Sequence, residues 1–291
     1  MQHRGTPSLF RHQLTWCALI FCATAITVSA SAQVTSTWQA NGVASWNDPA
    51  NWTSGVPNGT SDHAMFGPAF PDDKATVFIV DPTTIVGNLT YNNPFQIDLV
   101  APTVTFVGDG SPALIEILDG HIYFDSGDYV LATDLAVSAQ PGSTLTVGAE
   151  LNPAASLSGV GGLSIQGGGD IILSGANSYQ GVTNIYNGKL KVFDNNSLGL
   201  GTGSVLDGTF VHSGGILELS HPSIDLPDER IVVEGGTVTG GNWALTGPVQ
   251  LNGGTLTGDS WTLHGTTTVN SGTLSGEFWY VRGPLILDGD L

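Results

Sequence analysis

The sequence predicts an all-β chain wound as a parallel solenoid, and three observations predict it. Residues 231–291 return on themselves every 18 positions. Each return holds three short runs of alternating apolar and polar residues, broken by Gly, Asn or Asp. Glycine is abundant at 40 residues, against 7 Lys+Arg and 2 Met, a balance that suits strands and turns and suits long helices badly.

The repeats read IVVEGGTVTGGNWALTGP, VQLNGGTLTGDSWTLHGT, TTVNSGTLSGEFWYVRGP and the incomplete LILDGDL. In the first, the alternating runs are 231–233, 236–239 and 243–245. Strands this short form no stable sheet within one repeat. If each repeat is one coil, every strand pairs instead with its equivalent in the next coil, about 4.8 Å away. Trp243, Trp261 and Trp279 then form a ladder. Facing outward it would stack on sugar rings; facing inward it is core. Shared parity with Leu245, Leu263 and Val281 favours the interior. Thr237, Thr255 and Thr273 form a second, solvent-facing ladder, and Glu234, Asn252, Asn270 and Asp288 a third at a turn. Carboxylates stand only at the two ends of that third ladder, which argues against a metal-binding column.

Upstream the spacing loosens. Gly-rich turns followed by short alternating runs recur in GHIYFDSGDYVLA, GSTLTVGAELN, GGLSIQGGGDIILSG and NGKLKVF, so coils of about 18–26 residues are expected. The first 32 residues read as a secretory signal. Arg4 and Arg11 precede an apolar run over 14–28, and the small residues 30–32 stand before a cut ahead of Gln33. The alternative is an uncleaved anchor, for which the run is short and carries Thr15, Thr24 and Thr27. Cys17 and Cys22 both fall in this segment, so the exported chain has neither disulfides nor thiol chemistry. No membrane span is expected in the mature chain.

Residues 167–201, GGGDIILSGANSYQGVTNIYNGKLKVFDNNSLGLG, resemble the autotransporter-associated β-strand repeat. The matching positions are Leu173, Ser174, Gly175, Asn177, Tyr179, Gly181, Thr183, Gly188, Leu190, Val192, Leu198 and Gly199; Lys189 departs from the usual Thr. The mature N-terminus is similar to an opening segment of large secreted proteins carrying such repeats, through Trp38, Trp46, Asn51, Trp52, Pro57, Asp62 and Phe66. The resemblance implies a right-handed parallel β-helix displayed or released outside the cell, and names no catalytic residues. Trp38, Trp46 and Trp52 are expected to cap the end of the solenoid, a small carbohydrate-binding face being the alternative. The organisation expected is a signal at 1–32, a cap with first strands at 33–100, and the parallel β-helix at 101–291. The sequence stops inside a fourth 18-residue unit with no barrel or anchor after it, a departure from the family architecture.

A net charge of -18 disfavours nucleic acid, anionic lipid and polyuronate partners. A uronate lyase needs basic residues, and only Lys74, Lys189, Lys191, Arg230 and Arg282 follow the signal. A hydrolase needs converging carboxylates. Asp72-Asp73 reads as a solvated loop, and Asp225, Asp228, Glu229 and Arg230 as a charged surface turn in an insertion between coils. His63, His121, His212, His221 and His264 do not cluster in sequence, and GGGD at 167–170 is a single copy of a β-roll-like turn. No catalytic, cofactor or metal residues are therefore assigned, and no cofactor is expected beyond loosely held surface Ca²⁺. The function expected is a non-catalytic, secreted or surface-exposed, adhesin-like passenger that contacts extracellular glycans or copies of itself. The alternatives are a carbohydrate-active β-helix enzyme on a neutral polysaccharide, or a truncated remnant of a larger autotransporter.

Overall fold

The computed structural model describes residues 33–68, 74–148, 154–201, 207–220 and 224–288. The N-terminal segment with Cys17 and Cys22, the pair Asp72-Asp73, and His221 lie outside the described residues. Within residues 33–291, strands stack in parallel as one continuous solenoid. One column of paired positions runs without a break: Thr35, His63, Asn88, Leu114, Ala136, Ser164, Asn184, Phe210, Val232, Gln250, Thr268 and Ile286. The next residue of each strand points the other way, because side chains alternate along a strand. From Ala64 through Leu89, Ile115, Val137, Ile165, Ile185, Val211, Val233 and Leu251, that neighbouring column is buried. A second face carries Ile97, Ile122, Leu145, Ile171, Leu190, Leu217 and Val238 inward in the same manner.

The 18-residue repeat behaves as its spacing predicts. The first unit forms Ile231–Glu234, Thr237–Gly240 and Asn242–Leu245. The next two run as continuous bent strands, Val249–Leu263 and Thr267–Val281. Trp243, Trp261 and Trp279 pair in register, with ring centroids 5.4 and 5.6 Å apart and planes within 8° and 17°. The ladder faces inward: Trp243 and Trp261 are 4% and 0% exposed. Trp279 is 49% exposed, because among the described residues no coil covers it. Asn270 Nδ2 donates to Asn252 Oδ1 at 2.7 Å, so the two middle rungs of the turn ladder are hydrogen-bonded to each other.

Upstream coils are longer and uneven. Leu135 pairs with Leu163, a step of 28 residues and wider than the expected range, whereas Leu163 pairs with Thr183, a step of 20. Trp38, Trp46 and Trp52 fill the first coil rather than standing ahead of it, since Thr35–Thr37 and Val43–Ser45 already pair with His63–Phe66 and Lys74–Phe78. All three rings are buried. Trp52 meets Trp38 and Trp46 edge-on at 5.0 and 4.8 Å, and each packs on Phe66 of the next coil.

Candidate functional site

Two groups of polar side chains stand out among the described residues: one inside the solenoid where irregular coils meet the 18-residue coils, and one outside it on the same coils. The inner one starts from a turn. Ile224–Leu226 is a strand that pairs with Asn242–Leu245, so this segment belongs to the coil and is not an insertion. After Pro227, Asp228 takes φ +56, the left-handed conformation that Asp tolerates better than most residues. That twist turns Glu229 inward, where it is 4% exposed, and the following strand starts at Ile231. The expectation of a charged surface turn is thus corrected at Glu229.

Glu229 reaches a patch of buried polar side chains. Thr183 and Thr209 occupy paired positions on consecutive coils, and both are buried. Tyr179 and Thr183 share a hydrogen bond of 2.6 Å between their hydroxyls, and Thr209 Oγ1 donates to Glu229 Oε1 at 2.8 Å. Burial pushes the Glu229 carboxyl up to about 7; the Thr209 hydrogen bond pulls down, and the nearby buried Asp207 pushes up again. Burial likewise holds the Tyr179 phenol far above its ordinary value. Glu229 therefore keeps its proton through mildly acidic conditions, which an exposed glutamate does not. A cavity of about 210 Å³ adjoins this carboxyl, bounded by residues 195–196 and 198–201 of one coil and 226–229 of the next.

The outer place is a column of rings. Tyr186 stacks on His212 at 4.4 Å with planes 7° apart, and Phe210 lies 6.4 Å from His212. The Arg230 guanidinium sits 5.2 Å above the Phe210 ring and donates to Gln250 Oε1 at 3.2 Å. His212 Nδ1 is 3.0 Å from Glu234 Oε2, while its Nε2 faces Asn184 Oδ1 at 3.1 Å. Tyr186 is 47% exposed, so an aromatic ring with a polar fringe is presented to solvent. On a neighbouring face, Lys189 pairs with Glu218 at 3.1 Å and Lys191 with Asp170 at 2.9 Å. The hydrogen bond to Asp170 raises the Lys191 ammonium above its usual range. Glu218 is held low despite burial, by Ser220 and then Lys189.

The residues matching the repeat motif take structural positions. Asn177 is buried and joins three coils: its Oδ1 accepts from Leu157 N at 2.7 Å and its Nδ2 donates to Ser197 O at 2.7 Å. Leu173, Leu190, Val192 and Leu198 are core, and Ser174 is buried. At Gly181 a β-carbon would stand 2.4 Å from Gly162 N, so glycine permits the close coil approach there. The histidines remain apart. His63 faces Thr90 Oγ1 at 2.8 Å, with burial lowering its pKa, and His264 is exposed. Among the described residues, no three His, Cys, Asp or Glu side chains are placed to hold a metal ion. No helix among them is long and apolar enough to cross a membrane.

The class these features define is the parallel β-solenoid. No protein-family model, curated protein or solved structure matches the chain.

Proposed function

We propose that this chain is a non-catalytic, secreted or surface-exposed, adhesin-like solenoid that contacts extracellular glycans or other copies of itself along its coiled sides. The observation that carries the proposal is the outward column of Tyr186, His212, Phe210 and Arg230, an exposed aromatic edge bordered by Asn184, Glu234 and Gln250. Aromatic rings with adjacent amides and carboxylates suit sugars, which offer an apolar ring face and a hydroxyl rim. The likeness of residues 167–201 to the autotransporter-associated repeat supports right-handed winding and display outside the cell, and the signal-like N-terminus supports export. Trp38, Trp46 and Trp52 serve in this reading as the cap of the first coil.

The test is a neutral-glycan array together with sedimentation of the folded chain over a concentration series. Binding or association that Tyr186→Ala weakens by roughly tenfold, the scale of one lost aromatic contact, is expected. A folded chain that binds no glycan and stays monomeric would sink the proposal. One observation favours a second reading, a hydrolase on a neutral polysaccharide: Glu229 has the buried, proton-retaining character of a general acid. Reducing ends released from neutral polysaccharides, and lost in Glu229→Gln, would move the function to that reading.

A further inference from the structure

We propose that the cavity between residues 195–201 and 226–229 is a binding site for one neutral polyhydroxylated ring, a single sugar unit of a glycan. The proposal deepens the contact reading and rests on it, but places recognition at a different part of the surface from Tyr186.

Size comes first. A volume of about 210 Å³ is on the scale of one pyranose ring. The walls match such a ring on both of its characters. Leu200, 52% exposed, and Pro227 offer an apolar patch. Asn195 lends its Oδ1 to Asp225 N at 3.0 Å, which leaves its amide N–H groups as donors. Asp228 is fixed by its own N–H donating to Thr246 Oγ1 at 3.0 Å, while its carboxylate has no hydrogen-bond partner among the described residues.

Glu229 is the deepest polar group. Its Oε1 is taken by Thr209, and among the described residues Oε2 takes no hydrogen bond. A β-carbon on Gly201 would stand 2.7 Å from Oε2, so the glycine keeps that oxygen clear of side-chain atoms on the cavity wall. A carboxyl that retains its proton offers a donor to a ligand hydroxyl, and the Asp228 side-chain oxygens offer acceptors. Charge narrows the ligand further. The cavity lining includes two acids and no cation, and the nearest guanidinium, Arg230, is turned to Phe210 and Gln250. Anionic sugars are repelled, and purely apolar ligands would leave these polar walls unpaired.

The experiment is titration of the folded chain with glucose, galactose, mannose and N-acetylglucosamine, followed by saturation-transfer NMR and calorimetry, with glucuronate as the anionic control. At pH 5.5 at least one neutral sugar is expected to bind and glucuronate is not. Asp228→Asn, which suits the left-handed backbone, should weaken binding about tenfold through the lost charged acceptor. Leu200→Ala should weaken it by a similar factor, roughly tenfold, through lost apolar contact. Glu229→Gln, which keeps a donor at every pH, should retain at pH 8.5 the binding that the unaltered chain loses. No binding by any of the four neutral sugars at pH 5.5 would overturn the proposal, as would binding unchanged in both Asp228→Asn and Leu200→Ala. Binding removed by Tyr186→Ala and untouched by Asp228→Asn would overturn the cavity site while leaving the side-face contact standing.

Discussion

Replacing Glu229 by Gln should flatten a pH dependence that the native solenoid carries. The folded chain holds the Glu229 proton to about 7, whereas an ordinary glutamate releases it near 4.5. Between those values the native state binds more protons than the unfolded chain, so stability falls as pH rises through the window and levels off above it. At about 1.4 kcal/mol for each pH unit, the total is about 3 kcal/mol. Glutamine keeps the carbonyl that accepts from Thr209 and has no proton to lose. The variant should match the unaltered chain near pH 4 and exceed it at pH 8 by about 3 kcal/mol, which is roughly 6–12 °C in midpoint for a domain of this size. Thermal unfolding of both chains at pH 4, 6 and 8, followed by circular dichroism, measures the difference directly. Titrating groups that do not interact with Glu229 cancel in the comparison; Asp207, which pushes on the same carboxyl, does not. An equal gap between the two chains at all three pH values would refute the claim that Glu229 is buried with its proton.

Three further outcomes follow from the packing. Trp261→Ala should cost about 3–5 kcal/mol in denaturant unfolding, since the ring is enclosed between two others, whereas Trp279→Ala should cost less than about 1 kcal/mol. Asn177→Ala removes both links to neighbouring coils and leaves the Leu157 N–H and Ser197 carbonyl without that partner. A loss of about 2–4 kcal/mol and faster hydrogen exchange at the Leu157 amide are expected, and an unchanged exchange rate would contradict the role given to Asn177. Gly181→Ala must push two coils apart against backbone at 2.4 Å, while Gly67→Ala meets open space. The first should lower stability by more than about 2 kcal/mol and the second by under about 0.5 kcal/mol, as equilibrium unfolding of each variant would report.

The regular part of the fold was legible because one number, the 18-residue step, sets the register of every strand at once. Given that step, parity alone turns Trp243 and Trp261 inward. The polar interior was not legible, for two physical reasons. Glu229 lies in a turn, where alternation does not apply, and its direction depends on the left-handed backbone at Asp228. Its partner Thr209 lies 20 residues back across a coil that shares no fixed period with its neighbours, so nothing in composition brings the two together. The same irregularity hid the Tyr186–His212 stack. Its 26-residue separation is one coil step there, but the next step, from Thr209 to Ile231, is 22. The motif at 173–199 gave position without mechanism: Asn177 could be singled out, but not its bonds to the coils on either side.

The parallel pairing of coil on coil also dictates how this chain would yield to force. Hydrogen bonds between successive coils point along the winding axis, so tension applied along that axis opens them one after another and does not load a whole strand at once. The C-terminal coils should peel singly, each releasing 18 residues, or about 60 Å of extended chain. Further in, the release should become uneven, following steps of 28 and 20 residues at Leu135 to Leu163 and Leu163 to Thr183. A solenoid of this kind lengthens under load in small instalments, and each coil that comes away leaves the next one intact as the new end.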